Sequence, residues 1–214
     1  MTRGEGQLPD HRNAWRVIGG AGVFFLALAL LSLFPVLTVY LDIVVFSNGM
    51  GEISFTELSQ SLLLSMTILL YGRMAWKVEQ QRGFFILVTG FFSCMLIREQ
   101  DAFFDLIAHG AWLFPALFVA GIALTWALLF CRATIVMPMA AFVGSHAYYL
   151  LLFGLVLVLV FSRVFGSGSL LWGAMMGEGY FPLLKNVVQE GLELLGYGYL
   201  LVSGFLLRPV PSRN

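Results

Sequence analysis

The sequence predicts an all-α polytopic membrane protein, a bundle of six transmembrane helices with both termini on the cytoplasmic side. Three observations predict it. Hydrophobic residues make up 59% of the 214 and charged residues only 11%, whereas a soluble domain carries about 25% charge. Six stretches approach the roughly 20 apolar residues that a bilayer crossing needs. The basic residues, finally, gather on alternate connections.

The first stretch, about 17–40, follows the basic segment "MTRGEGQLPDHRNAWR". It is longer than a signal-peptide core of about 7–15 residues and has no A-x-A-like site behind it, so it reads as an uncleaved first helix. The second, about 57–76, follows the turn-rich "SNGMGEISFTE", with Thr56 as the expected N-cap. "RMAWKVEQQRG" separates it from the third, about 84–108. The last three, about 112–131, 139–163 and 183–207, have Pro115, Pro138 and Pro182 near their starts, where a missing N–H costs least. Residues 1–214 read as one transmembrane domain without internal repeats.

With the N-terminus inside, the cytoplasmic segments hold Arg3, Arg12, Arg16, Arg73, Lys77, Arg82, Arg132, Arg208 and Arg213, nine of the twelve Lys and Arg. This positive-inside bias fixes the orientation and fits a bacterial inner membrane. The lipid bilayer is then the first partner, and a homo-oligomer is compatible with it. Net charge is zero, which gives no footprint for nucleic acid. Cys94 and Cys131 lie in apolar runs and form no redox or metal motif.

One segment breaks the apolar pattern. "LIREQDAFFDLIAHG", residues 96–110, carries Arg98, Glu99, Asp101, Asp105 and His109. From Phe84 to Ile97 there are only fourteen uncharged residues, ~21 Å of helix against a hydrocarbon core of ~30 Å. The charges must then enter the outer leaflet. At a helix centre each costs ~2.5–3.5 kcal/mol on insertion scales, so they are expected to face the bundle interior. Arg98, Asp101, Asp105 and His109 fall at i, i+3, i+7 and i+11, one face of one helix. Glu99 lies beside that stripe.

The sixth helix supplies a complement. Asn186, Glu190, Glu193 and Tyr197 stand at i, i+4, i+7 and i+11, with Glu190 ~12 Å and Glu193 ~16 Å from Pro182. Lys185 is shallower. The second helix adds Glu57, Gln60 and Ser61. Three helices are thus expected to converge on one acidic site, with Arg98 within a few ångströms of Glu190 or Glu193, and with Asp101 or Asp105 near Lys185. Acids outnumber bases there, and an excess buried carboxylate must be protonated, hydrated or bound to a cation.

Glu190, Glu193, Asp101 and Arg98 are accordingly the groups expected to carry any chemistry. Asp101, Asp105, His109, Glu190 and Glu193 have the donor types of a divalent-metal site, and no other cofactor is indicated. Glu57, Gln60, Glu99, Lys185, Asn186 and Tyr197 would support them. His146 reads as a core histidine hydrogen-bonded to a neighbour, on the cytoplasmic side. In the 164–182 connection, Leu170, Leu171, Trp172, Met175 and Met176 read as an interfacial helix or a lid. Phe142 and His146 match FxxxH, but the EExxxR that accompanies it in intramembrane CAAX-type proteases is absent.

Three function classes follow from these residues. The first is an ion- or proton-linked transporter, channel or component of one, because intramembrane acids mark ion pathways. The second is a membrane-embedded enzyme acting on a lipid or lipid-linked substrate, using the carboxylates with a divalent metal or as acid and base. The third is an accessory subunit without chemistry. The ligand in the first two cases is a small ion or a lipid-like molecule.

Overall fold

The computed structural model describes residues 10–47, 54–177 and 181–207, which are helical throughout apart from turns, with no strand. α1 (His11–Tyr40) continues through a π-helical turn to Val45. α2 is Phe55–Lys77, α3 Arg82–Glu99, the short α4 Asp101–Asp105, and α5 Leu113–Phe130. α6 (Val136–Val143) precedes α7 (His146–Val156), which runs through a second π-helical turn into α8 (Ser162–Phe165). The short α9 (Ala174–Met176) leads to α10 (Pro182–Leu206). Four rods, at 11–45, 79–99, 113–130 and 146–165, are long and apolar enough to cross a membrane. That composition is compatible with an integral membrane protein.

α2, of 23 residues, and α10, of 25, are also long but more polar, and they form the centre. Leu64 and Tyr71 of α2 and Tyr197 and Leu200 of α10 are fully buried, packed with Phe85 and Phe92 of α3. α1 and α5 lie outside. On α1 only Pro35 and Thr38 are buried, and on α5 only Ala116, Ala123 and Ala127, while Phe25, Leu30, Phe118 and Leu129 are exposed. Greasy side chains turned outward over whole rods are what a lipid-facing surface requires, since lipid needs no polar cover.

Close approach holds the bundle where small residues meet. A Cβ on Gly90 would stand 2.4 Å from the Ala123 Cβ, and one on Gly154 would stand 2.8 Å from the Gly196 carbonyl. These contacts join α3 to α5 and α7 to α10. At one end of the bundle, Ser203 Oγ donates to the Ala147 carbonyl (2.8 Å) and the Gly83 N–H to Thr134 Oγ1 (2.8 Å). At the other end the start of α2, the close of α3 and the start of α10 meet.

Several local expectations change. Ser54, not Thr56, caps α2, its Oγ accepting the Glu57 N–H at 3.1 Å. Thr56 sits inside the first turn, where its N–H and hydroxyl donate to the fully buried Asp42 carboxylate (2.9 and 2.6 Å). Phe55 N–H gives Asp42 a third bond (2.7 Å). Asp42 is therefore a cap reaching in from the end of α1, fourteen residues away from Thr56 in sequence. The stretch expected at 139–163 is two helices, because Ser145 starts a new one by accepting the Tyr148 N–H (3.4 Å). His146 is consequently the exposed first residue of α7 rather than a core histidine. Beyond α8, the Trp172 indole N–H donates to the Phe165 carbonyl (2.6 Å), and Met175 is exposed.

The stretch expected at 84–108 also divides. α3 ends at Glu99, and Gln100 leaves helical geometry with φ −94° and ψ 21°. Its side-chain amide instead donates to Ser61 Oγ of α2 at 2.7 Å. Asp101 then opens α4. The continuous polar stripe Arg98–Asp101–Asp105–His109 therefore does not form on one helix.

Candidate functional site: an acidic cavity between α2, α3 and α10

A cavity of about 330 Å³ opens where these helices meet, lined by Glu57, Gln60 and Ser61 of α2, Arg98 and Glu99 of α3, Asp101, and Gln189, Glu190 and Glu193 of α10. The spacings explain the convergence. Glu190 and Glu193 are i and i+3 on α10, so both face the same neighbours. Glu57, Gln60 and Ser61 occupy one face of α2 in the same way.

Glu190 is held by a neutral partner. Gln60 Nε2 donates to Glu190 Oε2 at 2.9 Å and to the Glu190 backbone carbonyl at 3.1 Å. The carboxylates of Glu193, Glu57 and Glu99 surround it. Glu193 has a cationic partner instead: Arg163 Nη2 of α8 stands 2.9 Å from its Oε1, with 4% of the Glu193 side chain and 38% of that of Arg163 exposed. Gln189 Nε2 adds a long bond at 3.4 Å. Arg98 Nη1 donates to Glu99 Oε1 at 2.8 Å, the Glu99 side chain being 10% exposed. Tyr197 lies fully buried beneath, its hydroxyl near Glu99 and Glu193.

The expected residues are thus gathered only in part. Glu57, Gln60, Ser61, Arg98, Glu99, Asp101, Glu190 and Glu193 line one cavity. Arg98 pairs with its chain neighbour Glu99 rather than with Glu190 or Glu193, which are held by Gln60 and Arg163. The cation on Glu193 is Arg163 of α8, a residue to which the sequence gave no role. Lys185 and Asn186, half-buried nearer the start of α10, do not line the cavity. Asp105, the exposed last residue of α4, and His109, on the exposed connection after it, stand away from the cavity.

There the Asp105 carboxylate accepts the Gly110 N–H at 2.9 Å and contacts His109 Nδ1 at 3.0 Å. The Gly110 N–H first, and His109 second, hold the Asp105 carboxyl below its ordinary value. Gly110 has φ +79°, a left-handed turn suited to glycine. This is a local turn lock. Since the His109 side chain is 98% exposed, the set Asp101, Asp105, His109, Glu190 and Glu193 does not form one metal centre. Among the described residues no group of three or more His, Cys, Asp or Glu side chains is placed to hold a metal ion.

A larger groove of about 990 Å³ runs between α2, α3 and α5. Its walls, including Trp76, Ile86, Ile122 and Trp126, are apolar, and its charged residues are Glu79 and Arg82, an exposed ion pair at 3.1 Å. Size alone does not make it the chemical site. The buried carboxylates are elsewhere.

Comparison with protein-family models, with curated proteins and with solved structures gives no match. The functional reading therefore stands on the cavity's own chemistry.

Proposed function

We propose that this is an ion- or proton-linked transporter or channel, or a component of one, in which the α2–α3–α10 cavity is the binding site. The reading includes six crossings with both termini in the cytoplasm of a bacterial inner membrane, and a site in the outer half of the bilayer. The supporting pattern is the nine basic residues on one side. α2 and α10 supply the two crossings beyond the four strongly apolar rods, their polar residues turned toward each other.

One observation carries the function. Five acids, Glu57, Glu99, Asp101, Glu190 and Glu193, line a cavity with one lining cation, Arg98, and Arg163 adds a second behind Glu193. Of the more deeply buried acids, Glu99 faces Arg98 and Glu193 faces Arg163, while Glu190 faces the neutral Gln60, so these carboxylates exceed their cations by one in a low-dielectric place. Such carboxylates need protons, water or a bound cation, and exchange between these is the elementary step of ion-coupled transport. Glu190 suits that exchange best. Its Gln60 partner is neutral and serves it whether ionised or protonated, whereas Glu193 is committed to Arg163.

Liposomes containing the purified full chain and a trapped indicator test this. Imposed gradients of H⁺, Na⁺, K⁺ or Mg²⁺ should collapse faster for at least one ion than in empty liposomes. Glu190→Gln should abolish that difference. Wild-type vesicles that hold every gradient as well as empty ones would overturn the proposal.

A further inference from the structure

A line of buried polar side chains continues inward from the cavity. On α2 it comprises Gln60, Thr67 and Tyr71, at i, i+7 and i+11, one face of the helix. On α10 it comprises Glu190, Glu193 and Tyr197, with Ser203 beyond. Gln60 is 2% exposed, and Thr67, Tyr71, Tyr197 and Ser203 are fully buried.

Two of these have partners: Thr67 Oγ1 donates to the Leu63 carbonyl (2.9 Å) and Ser203 Oγ to that of Ala147 (2.8 Å). The Tyr71 and Tyr197 hydroxyls have none. They are the only fully buried side-chain N or O atoms among the described residues without a protein partner. Buried polar atoms are nearly always satisfied, and an exception calls for a reason. Packing gives none here, because phenylalanine would fill either place without an orphaned oxygen. Both hydroxyls lie beside a polar side chain, Tyr197 beside Glu99 and Tyr71 beside Ser203, close enough to exchange a proton but outside hydrogen-bonding geometry.

We propose that Tyr197 and Tyr71 are a proton relay joining the acidic cavity to the opposite end of the bundle. The inference rests on reading the cavity as proton-linked, and deepens it by assigning the inward route. The Glu99 carboxyl, protonated in turn from Glu190, gives its proton to the Tyr197 oxygen as the phenol releases its own to water. Water passes a proton to Tyr71 in the same manner, and Tyr71 passes its own toward Ser203. At each hop one O–H bond forms and one breaks, so neither phenol changes charge. From Tyr197 to Ser203 is six residues, ~9 Å along the axis, a gap that two or three transient water molecules span. Leu64 and Leu200, both fully buried, belong to the same core as the two tyrosines. Ser203 takes the proton from Tyr71 as its hydroxyl, which donates to the Ala147 carbonyl at rest, releases its own to water at the end of the bundle where the exposed His146 stands.

The test uses the full chain in liposomes with a trapped pH-sensitive dye, comparing wild type, Tyr71→Phe, Tyr197→Phe and Glu190→Gln, with the Tm of each in detergent. Each Phe variant should lose proton flux tenfold or more while its Tm stays level or rises. Normal flux in either Phe variant, with flux abolished in Glu190→Gln, overturns the relay and leaves the site's reading standing. A fall in Tm in the Phe variants overturns it too, because the hydroxyls would then be holding the fold. Wild-type vesicles that move Na⁺ or K⁺ but no protons overturn the relay alone. Vesicles that move no ion overturn both.

Discussion

Glu190→Gln and Glu193→Gln remove one charge each from adjacent turns of one helix, yet they should differ sharply. Glu193 is 4% exposed and stands 2.9 Å from Arg163. Removing one partner of a fully buried pair costs ~3–5 kcal/mol. Arg163, however, keeps 38% of its side chain exposed and rehydrates when its partner is lost, and exposed pairs contribute only ~0–1 kcal/mol. The expected loss for Glu193→Gln is between these limits, ~1–3 kcal/mol. Glu190→Gln keeps an amide oxygen to accept from Gln60 Nε2 and relieves repulsion from neighbouring acids, so its stability should stay within ~0.5 kcal/mol of wild type. Equilibrium unfolding in mixed micelles, with SDS as denaturant, measures both. A double-mutant cycle with Arg163→Met isolates the pair and should return a coupling of ~1–3 kcal/mol. A coupling near zero would show that Arg163 does not neutralise Glu193. Equal losses in the two Gln variants would show Glu190 to be part of a structural clamp, and the reasoning that sets it apart as the exchanging group would fail.

Gly154→Val should destabilise the bundle by ~1–3 kcal/mol, the usual cost of overpacking, because its new Cβ would meet the Gly196 carbonyl and Leu200. The same micelle unfolding checks it, and an unchanged midpoint would mean α7 and α10 do not approach so closely. The Asp105 turn should depend on pH. Its carboxyl is depressed in the folded chain, so the turn's contribution is fully present above the ordinary aspartate value of about 3.9. That contribution disappears as pH falls through the lower folded value. The Gly110 amide shift followed by NMR should titrate with a midpoint below about 3.9, and a midpoint at or above it would refute the bond.

Much of the architecture was legible in the residues because solvent preference acts on each segment alone. A run such as "LFPALFVAGIALTWALLF" is helical and lipid-compatible whatever its neighbours do, since an apolar helix satisfies its own backbone in a medium that offers no partners. The polar face of α10 was legible for the same reason: Glu190, Glu193 and Tyr197 share it by helical geometry alone. Both are one-dimensional properties, read from period and composition.

What only the tertiary structure decided are the pairings, each of which depends on where a second element ends. Arg163 reaches Glu193 because α7 runs through a π-helical turn into α8 and stops beside α10, and nothing in the spacing of 163 and 193 encodes that. The stripe from Arg98 to His109 fails because Gln100 gains a bond to Ser61 across the bundle, and this long-range bond ends a helix that local pattern would continue. Asp42, invisible as a lone acid at the end of an apolar run, becomes a triple acceptor only when the start of α2 folds back on it. Burial is local and additive enough to be written in sequence. Which charge meets which is settled by the relative placement of helix ends, and that is a property of the packed bundle.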